Sequence, residues 1–423
     1  MKYGKALVYA SVRIFNISLR ALSILLKFLL LLIISRYLEP QEVGYFGLLT
    51  AAILTAVYPL GFNFYSYSTR EIIKSKKERW YGILKNKHYL FCVTYLIFLP
   101  LYVFIFIFEL LPWKYSLFFF LLLIIEHLGQ ESYRFLVAIS RPTKAALILF
   151  IRSASWILIL ISILIYFPEK VSLKTILTLW VTLGLISLVI TSPIVFKLRS
   201  LASENNSVDW SWIYKGIKIA IPFLIGSLAI RFIFTADRFY LEELSNLELV
   251  AAYTLYVGLA GSMLAFLDSS FFSFSYPKLI DSINSLNSDK FHGILKTLTL
   301  QVISFVAVYS FIMLMLIDYL LNIISRPIYS EHKYLLPWLL VIFSLNSLSM
   351  IPHYALYSLK KDAMIILSNI LSLIVFLLCV YLFKSHGIYA VLYSLSAAML
   401  TLSCSKVIFF IASKKNIYRM KLS

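Results

Sequence analysis

The sequence predicts an all-α integral membrane protein with about 12 transmembrane helices. Three observations carry that class. The 423 residues are 61% hydrophobic and only 14% charged, and their mean hydropathy of +0.86 lies far outside the range of an ordinary soluble domain. Apolar runs long enough to cross a hydrocarbon layer of about 30 Å recur from one end to the other. The polar intervals between them are short and leave no room for a separate soluble domain.

Taken in order, the first span is read at 14–37. Its apolar run is long, interrupted by Arg20 and Lys27, and lacks a small-residue cleavage site, so a retained span is expected rather than a signal peptide. Arg13, Arg20 and Lys27 recur every seven residues and stack along one side of a helix, with Asn16 and Ser23 on the same stripe. The second span, 44–65, ends with Pro59, Leu60 and Gly61. A basic loop leads to the third, 88–109. The fourth, 115–138, carries Glu126, His127, Gln130, Glu131 and Arg134 within an arc of about 140°. A tight turn at Arg141 and Pro142 leads to the fifth, 145–167, and the sixth follows at 173–196. The seventh, 215–236, contains Pro222, Gly226 and Arg231; the eighth, 249–274, contains Asp268. The ninth to twelfth are read at 297–320, 334–356, 363–384 and 387–411, the last with Lys406.

An even number of spans puts both termini on one side. The termini and even-numbered loops hold about 26 Lys and Arg and the odd-numbered loops about 8, which assigns the former to the cytoplasm. The same cations account for most of the net charge of +19, so no nucleic-acid partner is expected. Cys92, Cys379 and Cys404 all fall in spans without paired or metal-type spacing and are expected to be packing residues. There is no metal-ligand cluster, no Gly-rich phosphate loop and no nucleophile elbow, so no cofactor and no enzyme activity are expected. A membrane glycosyltransferase or polysaccharide polymerase would need a large outer region, and no outer loop exceeds roughly 15 residues. Movement of a substrate is the expectation.

Two stretches resemble each other. The segment from Lys27 to Ala51 aligns with the segment from Arg231 to Leu259, given an insertion of about six residues before Tyr253. In each, a cation opens an apolar run, an Arg closes it (Arg36, Arg238), an acidic turn follows and a Tyr starts the next span. Six spans per half is even, so halves of 1–200 and 201–423 would share an orientation, be related by an axis along the membrane normal, and bind substrate between them.

The run from Arg20 to Ile72, with its cationic first span, the LEPQEVGYFGL turn from Leu38 to Leu48 and the GFNFYSYSTRE exit from Gly61 to Glu71, resembles the polysaccharide transporter family. These are the O-antigen flippases within the multidrug/oligosaccharidyl-lipid/polysaccharide exporter superfamily. The AIPFLIGSL entry from Ala220 to Leu228 and the pair Asp237 and Arg238 also fit; Ala252 replaces the usual Gly before the second Tyr. The resemblance implies twelve helices in two lobes of six in a bacterial inner membrane. It also implies a polyprenyl-pyrophosphate-linked oligosaccharide, such as an O-antigen or capsule repeat unit, carried from the cytoplasmic to the periplasmic leaflet. A polysaccharide polymerase and chain-length machinery are the implied protein partners.

Against that background, Arg20 and Lys27 either line a cavity as pyrophosphate ligands or snorkel to an interface. Arg231 holds the place of Lys27 in the second half and is the corresponding cavity candidate. Glu131 and Arg152 lie equally far from the turn at Arg141 and Pro142, so an antiparallel hairpin would pair them. Glu126, without such a partner, is either a titrating coupling group or a hydrogen-bonded core carboxyl. Asp237 and Arg238 are expected to fix a helix end. Asp268 and Lys406 either line the cavity or snorkel, and Tyr65 and Tyr67 are among aromatics that could stack on sugars. Pro59 to Gly61, and Pro222 with Gly226, interrupt helices either as hinges or as fixed kinks. The rival readings are a drug or cation exporter of the same superfamily, which would favour acidic cavity groups, and a peptidoglycan-precursor flippase, which would carry two further helices.

Overall fold

The computed structural model describes the backbone of residues 2–200 and 207–419 and the side chains of residues 15–200 and 207–413. Every regular element among them is helical. The long helices are α1 (Lys2–Tyr37), α2 (Pro40–Gly61), α3 (Lys77–Ile107), α4 (Ser116–Ala138), α5 (Pro142–Tyr166), α6 (Leu173–Arg199), α7 (Trp210–Leu244), α8 (Leu247–Asn284), α9 (Ser288–Ile324), α10 (Leu335–Ser358), α11 (Asp362–Leu382) and α12 (Ile388–Arg419). Among the described residues, eleven are long and apolar enough to cross a membrane. The twelfth, α4, has 23 residues, about 35 Å at 1.5 Å per residue, and is set apart only by its polar face. The all-α class with about 12 helices is therefore what the chain adopts.

Local chemistry explains where helices begin. Ser172, Asn246 and Asn287 accept hydrogen bonds from the backbone N–H three residues on, at 3.2, 2.8 and 2.8 Å, satisfying first-turn donors that have no partner inside the helix. Pro40 and Pro142 supply the first residues of α2 and α5, where a missing N–H costs nothing. Several helices outrun the apolar run that marks them: α3 starts at Lys77 rather than 88, and α9 spans Ser288–Ile324 rather than 297–320. Hydropathy reports the segment inside hydrocarbon, whereas the helix continues into water until a cap or turn stops it.

The chain forms two compact units, Met1–Leu30 with Leu48–Leu224, and Leu31–Gly47 with Ile225–Ser423. Consequently α1, α2 and α7 each give one portion to each unit. Within the first unit, Pro59 is accommodated inside α2, and the break falls beyond it, where Phe62 and Asn63 adopt left-handed backbone (φ 51° and 47°). The buried Asn63 donates its amide to the Phe223 carbonyl at 2.9 Å. A short helix, Tyr65–Lys74, follows. Gly216 lies under Phe64 and Tyr67, where a Cβ would come within 2.4 Å of a ring carbon. Helix α7 passes through Pro222 without interruption.

Within the second unit, the end of α1 and the start of α2 pack on α8. Gly44 meets the Leu247 carbonyl, 2.5 Å from where a Cβ would stand, and Gly258 faces Leu31. Residues 249–257 of α8 are all buried, as expected of a helix apolar on every side. Arg36 Nη1 donates to the Ile323 carbonyl at 2.8 Å, and Arg326 Nη2 lies 3.5 Å from Glu39 Oε1. The insertion of about six residues in the second repeat is absorbed as helix: α1 stops one residue after Arg36, whereas α7 continues from Arg238 to Leu244.

Two further features have no counterpart in the hydropathy pattern. Single π turns interrupt α5 at Ile151–Ser155 and α8 at Asp268–Phe272. Cys92 and Cys404 are exposed rather than packed inside, and Cys379 is half-buried; all three are free. The glycine contacts make a test. Gly44→Ala must displace α8 backbone and is expected to cost about 1–3 kcal/mol, seen as a lower unfolding midpoint in detergent. Gly82→Ala, with nothing within 4 Å of its added methyl, is expected to leave that midpoint unchanged or raise it.

Candidate functional site

Helix α4 organises the polar interior of the first unit. Its one-sided face turns inward, with Glu126, His127 and Glu131 all buried. The pairing differs from the expected one. Arg152 reaches Glu126, with Nη1 at 3.3 Å from Oε2 and 2.8 Å from the Glu126 carbonyl oxygen, and not Glu131. Counting residues from the hairpin turn assumes two ideal helices, but Arg152 sits in the π turn of α5, which shifts its register. Its long side chain then lies across Gly129, where a Cβ would come 2.5 Å from its Cδ, and extends towards the middle of α4. Glu126 therefore does have a partner, and a second one in Trp180 of α6, whose Nε1 donates to Oε1 at 3.0 Å. Trp180 stacks on Trp156 with centroids 6.1 Å apart.

Glu131 is held instead by Lys87 of α3, with which it forms an ion pair, and by Arg134, whose Nη1 lies 2.6 Å from Oε1. Arg134 also covers the ring of Tyr65 at 3.6 Å. His127 Nδ1 and the Tyr95 hydroxyl are 2.5 Å apart. A cavity of about 280 Å³ opens beside this cluster, with Lys87, His88, Glu131, Ser132 and Thr191 among its polar lining. Sequence reasoning placed Lys87 in the basic loop, because the apolar run starts one residue later. The signal was Lys87 with Phe91 one turn on: their side chains meet as a cation over a ring at 5.5 Å.

The cation ladder of α1 runs beside α4. Arg20 Nη2 donates to the Tyr133 hydroxyl at 3.0 Å. Lys27 is exposed yet within electrostatic reach of the buried Glu126 and Arg152. Among the described residues it makes no hydrogen bond and no ion pair. Arg13 has its side chain outside the described residues. Both carboxylates of α4 are already neutralised, Glu126 by Arg152 and Glu131 by two cations, so Arg20 and Lys27 leave this interior with a positive surplus.

In the second unit, Arg231 is an exposed residue of α7. Asp237 is fully buried and accepts from Tyr253 Oη at 2.7 Å and from the Arg238 N–H at 2.8 Å, which ties α7 to α8. Lys406 of α12 is 3% exposed and has its Nζ 3.5 Å from Ser349 Oγ, with His353 in electrostatic reach. Asp268 is exposed at the π turn of α8 and receives the Tyr354 hydroxyl at 3.4 Å.

The changed pairing is testable by thermal unfolding of purified variants. Arg152→Ala leaves Glu126 buried without its cation and is expected to cost about 3–5 kcal/mol. A double-mutant cycle between Glu126 and Arg152 should give a coupling of about 0.5–3 kcal/mol, well above that between Glu131 and Arg152. The reverse order would reinstate the pairing inferred from the hairpin.

Comparison with known proteins places this architecture. A family model described as "Polysaccharide biosynthesis protein" matches residues 13–283, more than half of the chain. A search of curated proteins found no match. Among solved structures, the fold is similar to an inward-facing multidrug resistance MATE family transporter of the MOP superfamily, with a TM-score of 0.69, 12% identity and 96% of each chain covered. It is also similar to a MOP superfamily transporter from Pyrococcus furiosus, described as having a binding pocket of reverse polarity that suggests a different function (TM-score 0.62, 12% identity, 97% of this chain and 96% of that one). A Vibrio cholerae MATE transporter gives a TM-score of 0.55 at 14% identity over 97% and 99% of the two chains. The chain thus belongs to the polysaccharide biosynthesis protein family, with eleven helices among the described residues long and apolar enough to cross a membrane and a fold similar to that of MOP superfamily transporters.

Proposed function

We propose that the protein flips a polyprenyl-pyrophosphate-linked oligosaccharide, an O-antigen or capsule repeat unit, from the cytoplasmic to the periplasmic leaflet of a bacterial inner membrane by alternating access. Both termini are then cytoplasmic, and the moving halves are residues 1–200 and 201–423. The observation that carries this reading is the exposed Lys27, which lacks an ion pair among the described residues and stands beside carboxylates that are already neutralised. An unmatched cation at membrane depth is costly unless water or an anion reaches it. A pyrophosphate supplies the anion, and the lipid tail it is joined to can stay in the bilayer while the polar head crosses.

In this reading Arg20 and Lys27 bind the pyrophosphate, and Arg231 is the corresponding cation of the second half. Glu126, Glu131 and Arg152 have a structural role: they hold α3 to α6 in register and prevent the two acids from cancelling the site's charge. Delivery to a polysaccharide polymerase and its chain-length partner follows from the product's location.

A drug or cation exporter of the same superfamily is the second reading, and the multidrug transporters among the structural neighbours favour it. Such a cargo is cationic and needs a free carboxylate, whereas Glu126 and Glu131 are each paired to cations. Two measurements decide between them. Arg20→Ala and Lys27→Ala should each lower surface polysaccharide with the protein still present in the membrane, and the double variant should lower it further. Full surface polysaccharide from the double variant, or drug resistance conferred by the unaltered chain, would favour the exporter.

A further inference from the structure

We propose that the cavity between α3, α4 and α6 seats a bound anionic phospholipid, whose phosphate meets Lys87, His88 and Ser132 and whose acyl chains lie along the seam between α3 and α6. The site is built from the first unit alone, and the proposal stands whether or not the chain is a flippase.

The two walls of the cavity differ. Its outer rim is apolar and uncovered, with Phe196 of α6 64% exposed. The flanking helix faces continue that surface on both sides. Tyr89, Val93 and Leu96 of α3 recur at intervals of four and three residues, and Leu185, Val189 and Phe196 of α6 at four and seven, so each set shares one face, and all six are exposed. Uncovered apolar surface of this extent on membrane-crossing helices is what acyl chains cover. The inner wall is polar. Lys87 and Glu131 form their ion pair there with side chains only 3% and 7% exposed, and the Ser132 hydroxyl beside them has no hydrogen-bond partner among the described residues. His88 Nδ1 lies 2.6 Å from the Leu84 carbonyl oxygen, which occupies one ring nitrogen and leaves Nε2 for a second partner.

A mere packing defect in a protein interior is apolar and dry, whereas this cavity is walled by an ion pair and an unpartnered hydroxyl. Its volume of about 280 Å³ lies just below that of sites for drug-sized molecules, which suits a headgroup and not a whole lipid. Charge selects which headgroup. Glu131 is the one carboxylate in the described lining and is answered by both Lys87 and Arg134, so a positive charge is left over. Arg199 follows Val195 by four residues and Phe196 by three, which puts it on the same stripe of α6, and both it and Lys197 are exposed. An acyl chain gains nothing by exchanging bilayer hydrocarbon for an apolar seam. Preference among lipids must therefore come from the headgroup, and a wall with surplus cations favours a net negative one over a zwitterion.

The test uses the full chain in nanodiscs of equal parts phosphatidylglycerol and phosphatidylcholine, with the lipid that stays on the protein identified by native mass spectrometry. Phosphatidylglycerol should be retained at least about fivefold over phosphatidylcholine. Ser132→Leu, which fills the cavity from its inner wall, should bring that ratio close to one. Arg199→Gln, a change at an exposed position, should lower it about two- to fivefold; it decides alone if Ser132→Leu lowers the unfolding midpoint in detergent. A ratio near one for the unaltered chain, or an unchanged ratio in the folded variants, overturns the site. Undecaprenyl pyrophosphate added to the discs should leave the retained phosphatidylglycerol in place. Its displacement of that lipid would assign the seam to the phosphates of a cargo and overturn the proposal as well.

Discussion

Hydrocarbon cannot solvate an ion, and the arrangement of the first unit follows from that constraint. Each buried carboxylate of α4 is answered by a cation: Glu126 by Arg152 of α5, and Glu131 by Lys87 of α3 and by Arg134 one turn along α4 itself. These bonds do more than offset the desolvation of each group. They connect α3, α4, α5 and, through the Trp180 indole, α6, so the electrostatic requirement also fixes helix register. Small residues complete the fit, because Gly129 leaves the space through which Arg152 passes. Against this neutralised background the cations of α1 stand out, Arg20 bonded to the Tyr133 hydroxyl and the exposed Lys27 within electrostatic reach of Glu126.

Much of the fold was legible because the bilayer imposes a length and an apolarity on each helix. The polar arc of α4 and the ladder of α1 were legible for the same reason: helical periodicity converts spacing directly into a shared face. Pairing was less so. The partner of Arg152 depends on a π turn and on how far a guanidinium reaches, and neither is encoded in hydropathy. Lys87 was hidden by its position one residue before an apolar run, where a loop cation and a buried one look alike. Trp180 gave no signal at all, since its role comes from a contact 54 positions away in the chain. Helix ends were misjudged wherever polar caps, such as Asn287, sit several turns outside the greasy segment.

The repeat illustrates the same limit from the other side. The correspondence between the first two helices and the seventh and eighth was visible, including an insertion of about six residues, but its structural expression was not. It lengthens α7 instead of forming a loop, and Tyr253 uses the added span to lock Asp237. The recurring cations therefore occur in unequal surroundings: Lys27 beside an acid and an arginine, Arg231 on a helix extended past its partner.

Helix α1 joins these observations in one rod. Lys27 belongs to one compact unit and Arg36, bonded to the Ile323 carbonyl, to the other. Nine residues apart in uninterrupted helix, they are separated by about 13.5 Å along the axis and by half a turn around it. No proline or glycine falls between them, so the helix runs unbroken from one anchor to the other. One unbroken helix therefore carries the lysine and the distal arginine on opposite sides of the same rod.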